Sequence, residues 1–220
     1  MIDAIITYKE RLIIALLETL DMVLVSSLIS IIFGISLGLL LFLFRKNSIY
    51  QNKLLYSVIS VISNIIRSIP FILFIIVLIP FNRLIIGTGF GVNASKIPLS
   101  LIGIASLSRL AEQTFIKLDN NLYETSYTMG SSKKSYIKYF LLNEARGQLV
   151  LNITTTIISI IAYSTVVGTI GGGGLGYLAI NEGFSNFQYN LMWVIIIIMI
   201  IIVSVIQTGG NLIARKIDKR

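Results

Sequence analysis

The chain has 220 residues, of which 55% are hydrophobic and 13% are charged, and its net charge is +8. Soluble domains carry about 25% charged residues, so this composition indicates one membrane domain without a separate soluble module. The chain contains neither Cys nor His, which excludes disulfides, thiolate or imidazole metal sites and catalysis by histidine. We therefore expect no cofactor. We also expect the basic residues to orient the chain in a bilayer rather than to bind nucleic acid.

Residues 1–21 mix apolar and charged side chains, and this amphipathic pattern predicts an interfacial helix ahead of the first membrane span. Five apolar stretches follow it, and a helix needs about 20 apolar residues to cross the bilayer core. We expect a single all-α membrane domain over residues 1–220, with spans at roughly 22–44, 54–79, 99–118, 149–170 and 191–207.

The first predicted span carries two glycines, Gly34 and Gly38, four residues apart. Small residues at this spacing allow a second helix to approach closely inside a membrane. We therefore expect a tight helix–helix contact at this position.

Two arginines lie inside the predicted spans, where each costs about 2.5–3.5 kcal/mol on insertion scales. Arg109 has a natural partner in Glu112, one turn away. Arg67 precedes Ser68 and Pro70, and the proline frees a backbone carbonyl of the preceding turn. These five residues either line a polar translocation pathway or gate, or form a structural ion pair that fixes the packing of spans two and three.

The longest polar interruption of the chain is residues 118–146, hereafter the 118–146 loop. A connection of this length should have structure or a function of its own. Helical spacing places two sets of residues on faces either side of a break at Gly130: Leu122, Ser126 and Met129, then Ile137, Phe140 and Leu141. We predict a helical docking platform for another protein. An amphipathic surface helix beside anionic lipid is the alternative.

The loop after the fourth span contains a run of glycines: Gly171, Gly172, Gly173, Gly174 and Gly176. Glycine adopts backbone conformations that other residues avoid, at an entropic cost. The run therefore predicts an outer gate or a contact surface for a delivering receptor, with a tight re-entry turn as the structural alternative. It has no Lys after it and is not a nucleotide-binding phosphate loop.

The lysines and arginines outside the spans are distributed unevenly. Most of them follow spans one, three and five, including the basic C-terminal tail. The positive-inside rule then places the 118–146 loop and the C-terminus in the cytoplasm, and the N-terminus outside.

The 118–146 loop resembles the EAA loop of type I ATP-binding-cassette (ABC) importer permeases. The resemblance is carried by Glu124, by Gly130 six residues later, and by the apolar run FLL at 140–142. The family's two alanines are Thr125 and Ser126 here, and its proline after the apolar run is Asn143. The resemblance implies the permease fold of this family and contacts with ATPase subunits, made by Glu124, Thr125, Ser126, Met129 and Gly130.

Four further segments resemble the methionine branch of this family: ETL at 18–20, NIIRSIPF at 64–71, IPFNR at 79–83 and the glycine run. With the loop they cover nearly the whole chain. The resemblance implies a homodimer in a bacterial inner or plasma membrane, two ATP-binding ATPase subunits, an extracytoplasmic methionine-binding protein and alternating access. It also implies that this chain is not itself an enzyme.

Other functions are compatible with parts of the sequence. A permease for an osmolyte such as glycine betaine would share the EAA loop and the glycine-rich turn. An ATP-independent channel would need a polar lining that the spans scarcely supply. An integral-membrane enzyme would need clustered catalytic groups, and a structural scaffold would leave uptake unchanged on deletion.

Overall fold

The structure is a computed structural model that describes residues 2–118 and 121–218. Over these residues it is a helical bundle without strands. Its helices are α1 (Ile2–Phe44), α2 (Lys53–Ser68), α3 (Phe71–Ile86), α4 (Val92–Lys117), α5 (Asn121–Thr128), α6 (Lys133–Ser135), α7 (Leu142–Thr169), α8 (Gly174–Leu178) and α9 (Tyr189–Ile217). Two π-helical turns, Tyr136–Leu141 and Ala179–Ser185, follow α6 and α8. Parts of two predicted features lie outside the described residues: Asp119 and Asn120 of the 118–146 loop, and Lys219 and Arg220 of the basic C-terminal tail.

Three helical segments are long and apolar enough to cross a membrane, namely α1, the helix that runs from α6 through α7, and α9. The bent pair α2–α3 gives a fourth. Helix α4 has 26 residues, which is enough length, but its charged residues make it less apolar. Most of its surface is covered by the bundle, so it does not need an apolar exterior. The all-α membrane fold is confirmed, and the boundaries of the five spans stay a prediction.

The predicted interfacial helix and first span form one continuous helix, α1, of 43 residues. Separating them was wrong, because no proline or glycine interrupts the chain before Gly34. At 1.5 Å per residue α1 is about 65 Å long, about twice the bilayer core. Its first part packs through Leu12 and Ala15 against residues of α8 and α9, so it belongs to the bundle.

The second predicted span, residues 54–79, is broken rather than straight. Helices α2 and α3 meet at an angle of 111°. The break falls at Ile69, whose φ of −78° and ψ of 129° are extended, and at Pro70. A proline disfavours helical geometry in the preceding residue and has no N–H for the helical ladder. Pro70 was recognised in the sequence, but its effect on the path of the chain was not.

The close contact predicted at Gly34 and Gly38 is confirmed. A Cβ atom added to Gly38 would lie 2.6 Å from the backbone oxygen of Ser108 and 2.6 Å from Ala111 Cβ. At Gly34 it would lie 2.9 Å from Leu107 Cβ. Helices α1 and α4 therefore pack at a distance that only small residues permit.

We expect Gly38→Ala to destabilise the isolated chain by about 1–3 kcal/mol, because the methyl group would overpack the contact of α1 with α4. The matched control is Gly209→Ala in α9, where an added Cβ meets nothing within 4 Å. The control should gain up to about 1 kcal/mol of helix propensity. Thermal unfolding in detergent measures both variants. Equal shifts at the two glycines would contradict the close contact.

The second half of the 118–146 loop, which carries the predicted face of Ile137, Phe140 and Leu141, is not a separate platform helix but continues into α7. Helix α6, the π-helical turn and α7 run without a break, so one segment extends from Lys133 to Thr169. Asn143 stands inside it and donates a side-chain hydrogen bond to the Tyr139 carbonyl at 2.8 Å. Because Asn143 replaces the family's proline, nothing ends the helix at this point.

Candidate functional site

Helix α5 ends at the tip of the 118–146 loop in a Schellman motif. The N–H of Gly130 donates to the Tyr127 carbonyl at 2.9 Å, and the N–H of Ser131 donates to the Ser126 carbonyl at 3.0 Å. Gly130 has a φ of +75°, a left-handed conformation that glycine adopts without the steric penalty of a Cβ atom. The predicted break at Gly130 is therefore a defined turn.

The residues predicted to contact a partner divide between two sides of α5. Glu124 and Thr125 are exposed, and Met129 is 70% exposed. Ser126 is only 1% exposed and donates its hydroxyl to the Tyr123 carbonyl at 2.8 Å. The predicted common face of Leu122, Ser126 and Met129 was wrong, since Met129 lies beyond the last residue of α5 and does not keep the helical spacing.

Sequence reasoning missed Tyr127, which is 71% exposed at the tip. It stands beside Met129, so the tip presents two large, partly apolar side chains next to Glu124. Tyr and Met are enriched at protein–protein interfaces relative to the rest of a protein surface. The available signal was the spacing of Tyr127 three residues after Glu124, which places the two on one helical face.

The inner side of α5 packs on a buried cluster at this end of the bundle. The cluster includes Phe42 of α1, Phe115 of α4 and Tyr136 of the π-helical turn. Tyr123 of α5 meets Tyr136 edge-on, with ring centroids 5.1 Å apart. Packed side chains therefore join the tip of the loop to the ends of three long helices.

The structure brings Arg109 and Glu112 together and ties them to α2. Arg109 Nη1 lies 2.7 Å from Glu112 Oε2, and Glu112 is 4% exposed. Arg109 Nη2 donates to the Ser60 carbonyl and to Asn64 Oδ1, both at 3.0 Å, and to the Ser60 hydroxyl. This arrangement favours the packing interpretation for Arg109 and Glu112.

Arg67 does not join that network. Its side chain is exposed on α2, one turn further along the helix than Asn64. Ser68 donates its hydroxyl back to the Asn64 carbonyl at 2.8 Å, and Pro70 begins the bend. The five residues predicted as one polar group therefore form two groups with different surroundings.

The glycine run is a tightly packed turn. Gly171, Gly173 and Gly174 have φ values of +84°, +83° and +77°. A Cβ on Gly172 would lie 2.0 Å from Val167 Cγ1, and one on Gly176 would lie 2.5 Å from Thr165 Cα. The run thus turns the chain sharply and lets α8 press against the backbone of α7. Its predicted role as an outer gate stays a prediction.

Two side chains of α1 hold the start of α8. The N–H of Gly174 donates to Glu18 Oε2 at 2.7 Å, and the N–H of Leu175 donates to Thr19 Oγ1 at 2.8 Å. The first N–H groups of a helix have no partners within the helix, so α1 supplies them. Glu18 and Thr19 belong to the segment that resembled the methionine branch, but the sequence alone did not indicate this contact.

We expect Glu18→Ala and Thr19→Val to loosen the glycine turn, because each removes a hydrogen bond to the start of α8, which contributes about 1.5–3 kcal/mol for a charged acceptor and about 0.5–1.5 kcal/mol for a neutral one. Hydrogen exchange at residues 171–176 should rise in both variants. The control is Glu10→Gln, an exposed position on the same helix, which should leave exchange unchanged. Unaltered exchange in Glu18→Ala would show that the contact does not hold the turn.

These features define the chain as a multi-span helical membrane protein with an exposed loop tip at one end and a glycine turn held by α1. A family model for the inner membrane component of binding-protein-dependent transport systems matches residues 30–220. The chain therefore belongs to this family of transport proteins.

Named relatives match along most of the chain. A probable D-methionine transport system permease protein MetI of Haemophilus influenzae is 38% identical over 204 residues, covering 92% of this chain and 95% of the relative. The methionine import system permease protein MetP of Bacillus subtilis is 41% identical over 182 residues, covering 82% of each chain.

Solved structures share the fold. A chain of the MetNI methionine ABC transporter in an inward-facing conformation has a TM-score of 0.93 and 33% identity, covering 97% of this chain and 99% of its own. A chain of an amino acid ABC transporter has a TM-score of 0.77 at 19% identity, a likeness that concerns the fold alone. The predicted resemblance to type I importer permeases is confirmed.

Proposed function

We propose that this chain is the permease subunit of an ABC importer that carries methionine across a bacterial inner or plasma membrane. The observation that carries this proposal is the likeness to methionine transporter permeases over almost the full length of the chain. Glycine betaine and other osmolytes are the alternative substrates of related permeases. The two named relatives both concern methionine.

ATP hydrolysis takes place on separate ATPase subunits that bind the tip of the 118–146 loop. The residues that make the contact are Glu124, Thr125, Met129 and Gly130. Tyr127, which is exposed at the same tip, also takes part. Ser126 acts from the inner side by fixing α5 against the bundle. Support comes from the exposure of the tip and from the sequence, which has no phosphate loop of its own.

Two copies of the chain enclose the pathway, and each tip contacts one ATPase subunit. ATP closes the ATPase dimer and draws the tips together, which opens the pathway outward to accept methionine from an extracytoplasmic binding protein. Hydrolysis returns it to the inward-facing state. The tip and the C-terminus lie in the cytoplasm and the N-terminus outside, as the distribution of lysine and arginine supports.

Uptake of radiolabelled L-methionine, D-methionine and glycine betaine, in cells with and without this chain, tests the proposal. We expect methionine uptake alone to depend on the chain. If only betaine uptake depended on the chain, the chain would be an osmolyte permease instead. ATP-independent flux through the purified chain in liposomes would instead favour a channel, and unchanged uptake of all three would favour a scaffold.

A further inference from the structure

With Lys117, the last residue of α4, taken as the edge of the hydrocarbon core, helix geometry places Arg67 near the middle of the bilayer. Arg109 is eight residues before Lys117, the end of α4, and so lies about 12 Å from that end of the helix. Asn64 bonds to Arg109 and shares its depth. Arg67 is three residues further along α2, about 4–5 Å deeper. In a hydrocarbon core of about 30 Å this position is central.

The side chain of Arg67 belongs to a polar stripe of α2. Residues at helical spacing along this stripe are Lys53, Ser57, Ser60, Asn64 and Arg67. The other exposed face of α2 is apolar and suits lipid, with Leu54, Val58, Val61, Ile62 and Ile65 on it. A charged side chain at membrane depth faces a protein interior or a water-filled space rather than hydrocarbon. We therefore expect the end of the stripe at Arg67 to border the aqueous pathway, while Ser60 and Asn64 contact Arg109 of α4.

Arg67 is available to a ligand in a way that Arg109 is not. The terminal nitrogens of Arg109 are taken up by Glu112, Ser60 and Asn64. Arg67 is exposed and, among the described residues, makes no ion pair or side-chain hydrogen bond. Its planar guanidinium group can bind a carboxylate with two parallel hydrogen bonds.

The bend beside Arg67 supplies an acceptor next to this donor. Ile69 donates its N–H to the Ile65 carbonyl at 3.3 Å. The next carbonyl, that of Ile66, has no helical donor because Pro70 lacks an N–H. The carbonyl end of a helix carries partial negative charge and favours a cation. A guanidinium group and a carbonyl without a helical donor thus come from adjacent residues.

We propose that Arg67 binds the α-carboxylate of the transported amino acid at mid-membrane, while the Ile66 carbonyl accepts a hydrogen bond from its α-ammonium group. This inference rests on the proposed function and adds a transit site to it. The site recognises the backbone of an amino acid rather than its side chain. Binding there is weak, because a transported solute must leave the site as readily as it enters. Arg109 serves as a positioning residue that holds the polar stripe in place.

The test uses the complete transporter, with its ATPase subunits and binding protein, reconstituted in liposomes. Initial rates of L-methionine uptake are compared for the parent chain, Arg67→Gln, Arg67→Lys and the control Lys9→Gln, which removes an exposed charge from α1, away from the stripe. We expect Arg67→Gln to lower uptake at least about tenfold, the size of a lost charge-assisted contact. Arg67→Lys should retain more uptake, and Lys9→Gln should stay near the parent rate.

Basal ATPase activity and thermal stability separate a binding role from a structural one. Both should be unchanged in Arg67→Gln. Uptake by Arg67→Gln within twofold of the parent rate would overturn the proposal, as would a loss of uptake matched by equal losses of stability and basal ATPase activity. Failure of the parent transporter to take up methionine would instead overturn the proposed function.

Direct binding provides a second readout. Radiolabelled L-methionine is added to the purified complex of this chain and its ATPase, without the binding protein. Unlabelled methionine should compete for the site, and L-methioninamide, which lacks the carboxylate, should not. Equal competition by the two compounds would overturn the assignment of the carboxylate to Arg67.

Discussion

The Gly130→Asp variant should reach the membrane and fold but lose ATP-driven uptake. An added Cβ at Gly130 meets nothing within 4 Å in this chain, so the substitution creates no internal clash. Aspartate is among the residues that tolerate the left-handed conformation best. Under the proposed function, the expected loss arises at the ATPase subunit, against which a new charged side chain would project.

The same substitution at Gly87 is the matched control. Gly87 follows α3 with a φ of +86°, and an added Cβ there also meets nothing within 4 Å. Both variants carry the same backbone strain and the same added charge, but only Gly130 lies at the loop tip. We expect Gly87→Asp to retain most of the uptake.

Three measurements on the two variants decide the outcome: amount in the membrane, co-purification of the ATPase, and methionine uptake. Gly130→Asp should reach the membrane in the normal amount, but it should neither co-purify the ATPase nor take up methionine. Normal uptake by Gly130→Asp would contradict the docking role of the tip. An equal loss in Gly87→Asp would assign the effect to backbone strain instead.

Long, strongly apolar segments could be predicted from the sequence because their signal is local. Helices α7 and α9 cover nearly all of the fourth and fifth predicted spans, and the close helix contact at Gly34 and Gly38 was predicted without its partner α4. Helix α4 was the weakest prediction, since Arg109 and Glu112 interrupt its apolar pattern. Arg109 also has partners on α2, and no pattern within α4 itself reveals them.

The errors of prediction share a physical cause. Where a helix ends depends on competition between local geometry and contacts made elsewhere. Pro70 bends the α2–α3 segment by 111°, while Pro80 and Pro98 lie inside helices α3 and α4 without ending them. Sequence alone does not distinguish these cases, because the outcome depends on how the bundle satisfies the freed carbonyls.

The sequence predicted where the candidate sites lie along the chain better than it predicted what each of their residues contacts. The exposed tip and the glycine turn fell where the motifs placed them. The hydrogen bonds of Glu18 and Thr19 to the start of α8 join positions 156 residues apart, and such pairings leave no local trace. The buried orientation of Ser126 likewise depends on the cluster beneath α5.

Helix α4 connects the two regions on which transport should depend. Its end carries Phe115, which packs in the cluster under the loop tip. Six residues earlier it carries Arg109, which holds α2 through Ser60 and Asn64. A displacement of the tip can therefore reach the polar stripe of α2 through one rigid helix. This continuity makes Arg109 the most informative position for a substitution inside the membrane.

We expect Arg109→Met and Glu112→Leu each to destabilise the chain by about 3–5 kcal/mol, because each leaves an uncompensated charge in the bundle. The double variant Arg109→Met/Glu112→Leu removes both charges and should be more stable than either single variant. Thermal unfolding in detergent, followed by the fluorescence of Trp193, the only tryptophan, measures all three.

Uptake should not recover together with stability in the double variant. The methionine introduced at position 109 cannot donate a hydrogen bond to Ser60 or Asn64. Helix α2 would therefore lose the hydrogen bonds that fix its polar stripe. A double variant that is stable but transports poorly would identify Arg109 as a positioning residue for the pathway. If uptake recovered in proportion to stability, the ion pair would serve helix packing alone, and the link from α4 to the pathway would be rejected.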